Sequence, residues 1–89
     1  MRHRYLEVTF RKGVALAAYL YLPRAAGTLA ASTIDGGHGM RVDLDEGGRP
    51  IGVEITAPSM ITVAQVNELL SNYGTEPLAS EEWAPLVAA

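Results

Sequence analysis

Residues Gly39–Ile55, GMRVDLDEGGRPIGVEI, decide the fold. Met40, Val42 and Leu44 alternate with Arg41, Asp43 and Asp45. Ile51, Val53 and Ile55 then alternate with Gly52, Glu54 and Thr56. Period two with one apolar and one polar side is the pattern of a half-buried strand. Between the two runs, Asp45-Glu46-Gly47-Gly48 suits a type I turn followed by glycine in a left-handed bulge position. The stretch is therefore a β-hairpin. Pro50 starts its second strand, where an unpaired amide is tolerated.

Towards the N-terminus, residues 5–10 alternate with Leu6, Val8 and Phe10 on one side, so they predict a first strand. Arg11-Lys12-Gly13 supplies a short hairpin loop in which Gly13 takes a positive φ. Residues 14–22 predict a second strand whose two sides are both apolar: Val14, Leu16, Ala18, Leu20 and Leu22 on one, Ala15, Ala17, Tyr19 and Tyr21 on the other. A strand without a polar side is expected at the centre of a sheet, covered on both faces. Pro23 ends it. Residues 28–34 predict a third strand, and Asp35-Gly36-Gly37-His38-Gly39 a turn. The hairpin strands span 40–45 and 50–56.

Beyond Pro58 the period changes. Thr62-Val63-Ala64-Gln65 matches a capping box, and Val63, Val66, Leu69, Leu70 and Tyr73 share one face of a helix over 62–73. Gly74 is placed to end it in the left-handed conformation. Ser80-Glu81-Glu82-Trp83 predicts a short helical turn over 80–84, capped by Ser80 and cut short by Pro85. The expected fold is a single α+β domain: an antiparallel β-meander of four or five strands, one helix on a face and a short C-terminal helical turn.

The chain has 89 residues, 48% of them hydrophobic, and a net charge of -3. So much apolar surface in one small domain predicts that part of it is covered by a partner. No cysteine is present, which excludes disulfides and cysteine-ligated zinc. The charge is split: through Arg24, Arg2, Arg4, Arg11, Lys12 and Arg24 face only Glu7, whereas the rest carries nine acids against Arg41 and Arg49. The acidic balance argues against nucleic acid as the partner. The longest apolar run, Val14–Leu22, has nine residues, about half a membrane span. Glu7, Arg11 and Lys12 interrupt any secretory apolar region, so none is expected. Six arginines to one lysine, with abundant alanine and glycine, point to a GC-rich bacterial genome, and the expected location is the cytoplasm.

The strand AYLYL (Ala18–Leu22) and the run GMRVDLDEGGRPIGVEI resemble the uncharacterised bacterial family called domain of unknown function 2283. The likeness covers roughly residues 5–56. The family places acidic residues near the first turn; this chain has Arg11-Lys12-Gly13 there, so nothing that depends on those acids carries over. Some members are similar to antitoxin partners of small toxin proteins, and the resemblance therefore implies a protein-partner role.

Three chemistries compete. His38 beside Asp35, or His38 with the hairpin carboxylates Asp43 and Glu54, are weak candidates for acid–base work at a subunit junction. No further ligands accompany them, and no metal or cofactor is expected. The glycine turn lacks the lysine and helix of a phosphate loop. The alternative is a binding surface. Tyr19, Tyr21, Trp83 and Leu86 are the amphipathic and apolar side chains expected at a partner interface, since one helix covers one sheet face and a second copy is the economical cover for the other. The leading expectation is a small homo-oligomeric binding or regulatory module, dimeric, with an antitoxin-like second small protein as its most concrete partner. An enzyme and a structural subunit of a larger assembly are the alternatives.

Overall fold

The structure, a computed structural model, describes residues 3–87. Strands β1 (Tyr5–Arg11), β2 (Val14–Tyr21), β3 (Ser32–Gly37), β4 (Met40–Leu44) and β5 (Pro50–Ile55) form one antiparallel sheet. A 3-10 turn over Pro58–Met60 leads to helix α1 (Val63–Ser71), and α2 (Ser80–Val87) follows. The domain is α+β, as the two periodicities require.

The order across the sheet is β1-β2-β5-β4-β3, not a sequential meander. The ten residues from Leu22 to Ala31 carry the chain from β2 to the far edge, three strand spacings or ~14 Å away. The chain then returns through β4 to place β5 beside β2. β5 is thus the central strand, and β2 lies between β1 and β5.

Turn chemistry fixes the three hairpins. Lys12 (φ 52°) and Gly13 (φ 79°) join β1 to β2, and His38 (φ 53°) and Gly39 (φ 75°) join β3 to β4. Two consecutive positive φ angles are what a two-residue type I′ turn demands, and they match the twist of the strands. Between β4 and β5, Gly48 (φ 80°) donates to the Asp45 carbonyl, and the Asp45 carboxylate accepts from the Gly47 and Arg49 amides.

One face of the sheet is the core. Leu6, Leu20, Leu22, Met40, Val42, Val53 and Ile55 are buried there with Ile61, Val66, Leu69, Leu70 and Leu78. Both helices pack on this face. The Thr62–Gln65 capping box forms in both directions. Thr75 donates to Leu70 and Gly74 (φ 67°) to Ser71, the paired bonds of a Schellman ending. Asn67 accepts from the Leu78 amide and holds the connection to α2.

Three expectations need correction. The third strand lies at Ser32–Gly37, not 28–34. The glycines read as loop are instead the end of a ladder, because the turn uses only His38 and Gly39; Gly36 is the bulged residue, and a Cβ there would press the Leu69 side chain at 2.9 Å. The faces of β2 are not set by simple parity. Thr9 opposes Ala17 but Phe10 opposes Ala15, so Leu16 is an extra residue, and Val14 and Leu16 stay exposed. Among the described residues of the one chain, no element lies over the second side of β2, and Tyr19 and Tyr21 are half-buried there. Finally, α2 runs to Val87 through Pro85. Ser80 is its first residue rather than its cap, and Glu82 accepts from the Ala79 amide. Pro85 costs one backbone bond, but it is exposed, so water can satisfy the freed carbonyl, while Trp83 and Leu86 anchor the helix on the core.

Candidate functional site

The register places chemistry on the face opposite the helices. One cross-strand row runs Glu7, Tyr19, Glu54, Arg41, Asp35 from β1 to β3; the next runs Tyr5, Tyr21, Gly52, Asp43, Thr33. Alternation forces these ten residues to the same side, since each neighbour along its strand belongs to the core or its rim.

Three tyrosines hold the β1–β2–β5 half of this face. Tyr5 and Tyr21 stack, with ring centroids 4.6 Å apart and 14° between planes. Tyr19 meets Tyr21 at 4.7 Å with a 59° tilt. The Arg24 guanidinium lies 5.6 Å from the Tyr21 centroid, within cation–π reach. Tyr19 leans diagonally over Gly52 on β5, whose missing side chain leaves room for the phenol; a Cβ there would overlap the ring and hydroxyl. The two motifs AYLYL and IGVEI are therefore one packed feature.

Hydrogen bonds fix the polar tips. The Tyr19 hydroxyl donates to Asp43 at 2.6 Å, and the Thr33 hydroxyl donates to the other oxygen of the same carboxylate at 2.6 Å. Tyr21 donates to Glu7 at 3.4 Å. Burial, and after it the bond to Asp43, pushes the Tyr19 phenol far above its ordinary range, so it stays a neutral donor. Tyr21 is raised too, first by burial and then by the Glu7 charge.

The structure does not bring His38 together with Asp43 or Glu54. His38 leans to the helix side, where its Nδ1 lies 3.3 Å from the Gln65 amide nitrogen in a small cavity with Gly36, Glu68, Leu69 and Asn72. Asp35 instead accepts from the Gly37 amide. Asp43 and Glu54 share the open face without being directly opposed: Asp43 pairs with Gly52 and Glu54 with Arg41. Among the described residues, no three His, Asp or Glu side chains are grouped to hold a metal ion. Trp83 and Leu86 are partly buried against the chain's own core and, with Ile61, Pro58 and Ala15, line a notch of about 380 Å³ beside the first hairpin.

Sequence reasoning missed Thr33, Arg24 and Gly52. The contact of Gly52 with Tyr19 depends on β2 lying beside β5, which no local signal encodes; Thr33 meets Asp43 across the β3–β4 hairpin, and Arg24 lies over Tyr21 just after β2. The available signal was chemical: a half-buried tyrosine needs a partner for its hydroxyl.

Comparisons with protein-family models, with curated proteins and with solved structures find no match to this chain. Among the described residues, no helix is long and apolar enough to cross a membrane.

Proposed function

We propose that this chain is a small homo-oligomeric binding or regulatory module of the bacterial cytoplasm, and that the tyrosine face of its sheet receives a protein partner. An antitoxin-like pairing with a second small protein is the concrete form. One observation carries the reading: an open sheet face holds three clustered aromatic rings, two of which, Tyr19 and Tyr21, have their hydroxyls tied to carboxylates. Tyrosines fixed in this way offer large contact area at little entropic cost, which suits recognition. The face carries Glu7, Glu54, Asp43 and Asp35 against Arg41 and the neighbouring Arg24, so a partner of basic character is favoured. The resemblance to a family with antitoxin-like members points the same way. Within one chain His38 and the hairpin carboxylates serve separate sides of the sheet, which favours the binding reading over an enzyme site at a subunit junction.

The test is co-purification with the product of an adjacent gene, comparing the wild type with Tyr21→Ser. The reading predicts a stable complex that the substitution weakens at least tenfold while leaving the circular dichroism unchanged. A complex indifferent to Tyr21→Ser, or the absence of any complex with that product, counts against it.

A further inference from the structure

We infer that the free edge of β3 pairs with β3 of a second copy, antiparallel about a two-fold axis. This rests on the homo-oligomeric part of the reading above and assigns the contact to a different surface from the tyrosine face.

The two edges of the sheet are treated differently. At the β1 edge, α2 packs on the strand, Arg4 is clamped to Glu82, and Arg11 and Lys12 place charge at the hairpin end. Charge and a covering helix are the usual guards against edge-to-edge pairing. The β3 edge has no covering helix among the described residues and a single charged side chain. Ser32–Gly37 contains no lysine, arginine or proline, and all of it except Gly36 is exposed. Among the described residues, no strand pairs with its outer side. Its one charge, Asp35, is turned back onto the Gly37 amide. The bulge at Gly36 lies at the hairpin end, so Ser32–Asp35 keeps an uninterrupted register with β4. Such a row of free backbone groups selects an extended strand as its occupant.

The core row identifies that strand. Leu6, Leu20, Val53, Val42 and Ile34 stand opposite one another across all five strands. Their exposures are 8%, 0%, 1%, 0% and 41%. The row is dry until it reaches β3 and then opens to water. A two-fold axis at Ile34 sets that residue against its own counterpart and joins the two rows. The same register puts Thr33 opposite Asp35, so no like charges face each other. Both tyrosine faces then lie on the same side of a ten-stranded sheet. The contact is small, under ~1,200 Å² in total, which places it among exchanging rather than permanent interfaces.

Sedimentation of the full chain over a dilution series tests this. The wild type is expected to be a dimer that dissociates at micromolar concentration. Ile34→Lys, which opposes two charges at the axis, is expected to be monomeric throughout with an unchanged circular dichroism spectrum, and Tyr21→Ser to remain dimeric. Because the chain has no cysteine, Ile34→Cys provides a single thiol, and a short bifunctional thiol reagent is expected to give a covalent dimer. Should Ile34→Lys lose its native spectrum, the cysteine variant decides, and failure to cross-link overturns the pairing. A wild type that is monomeric at every concentration overturns both the pairing and the homo-oligomeric reading. A dimer that survives Ile34→Lys, or that only Tyr21→Ser dissolves, overturns the β3 contact and leaves the oligomer standing.

Discussion

Gly52 is glycine because Tyr19 occupies the space where its side chain would stand. A phenol lying across a glycine on the neighbouring strand covers backbone that would otherwise be bare, and it sets the ring at the angle from which its hydroxyl reaches Asp43. Gly52→Ala should lift the ring, break that bond and cost about 1–3 kcal/mol. Adding Tyr19→Ala to Gly52→Ala should cost less than the sum of the two single changes, a coupling that a double-mutant cycle in urea measures. The Tyr19 phenol also predicts an alkaline signature. Its folded pKa lies above the unfolded value of about 10, so its contribution is complete below that pH and declines as the pH rises above it. An absorbance titration should therefore show a late phenol step that Tyr19→Phe removes. Tyr19 itself was legible in the sequence as an amphipathic side chain on the second side of β2. Its partners were not, because Asp43 and Gly52 lie far along the chain and are brought near only by the strand order.

At the scale of elements, what was legible was local. The β4–β5 turn follows from Asp45 and Gly48, and α1 follows from its capping box, its apolar stripe and Gly74. β3 was misplaced because its glycines look like loop, while its pairing is decided by β4. α2 was read too short because Pro85 outweighs its neighbours locally, whereas tertiary anchoring reverses the balance. One anchor is the clamp between the start of β1 and the first turn of α2. Arg4 donates to both Glu82 oxygens, at 2.6 and 3.0 Å, and to the Glu76 and Pro77 carbonyls. Forked charge-assisted bonds of this kind are among the stronger polar contacts. Arg4→Ala should destabilise the fold by roughly 1–2 kcal/mol and raise amide exchange in α2 ahead of the sheet. The bond from Arg4 holds the Glu82 carboxyl below its ordinary range. Since the folded value is the lower one, this stability is present above about pH 4.5 and is lost as the pH falls through the folded pKa. Thermal melts between pH 3 and 6 should show a shallower acid decline in Glu82→Gln than in the wild type.

At the scale of the whole sheet, the two faces differ in chemistry. The helix-side face is a closed apolar layer around Leu20, Val42, Val53 and Ile55, and it accounts for stability; Leu20→Ala should cost about 2–5 kcal/mol in chemical denaturation. The other face is aromatic and polar, is satisfied within one chain, and remains open to a partner. Within one chain, Tyr19 and Tyr21 rest their rings on Gly52 and Tyr5 and keep their hydroxyls bonded. Amide chemical shifts of the labelled chain, recorded with and without the co-purifying partner, locate the contact directly. The account predicts perturbations concentrated at Tyr5, Glu7, Tyr19, Tyr21 and Glu54, with the helices quiet. Perturbations confined to α1, α2 or the Trp83 notch, with that tyrosine face unmoved, would contradict it.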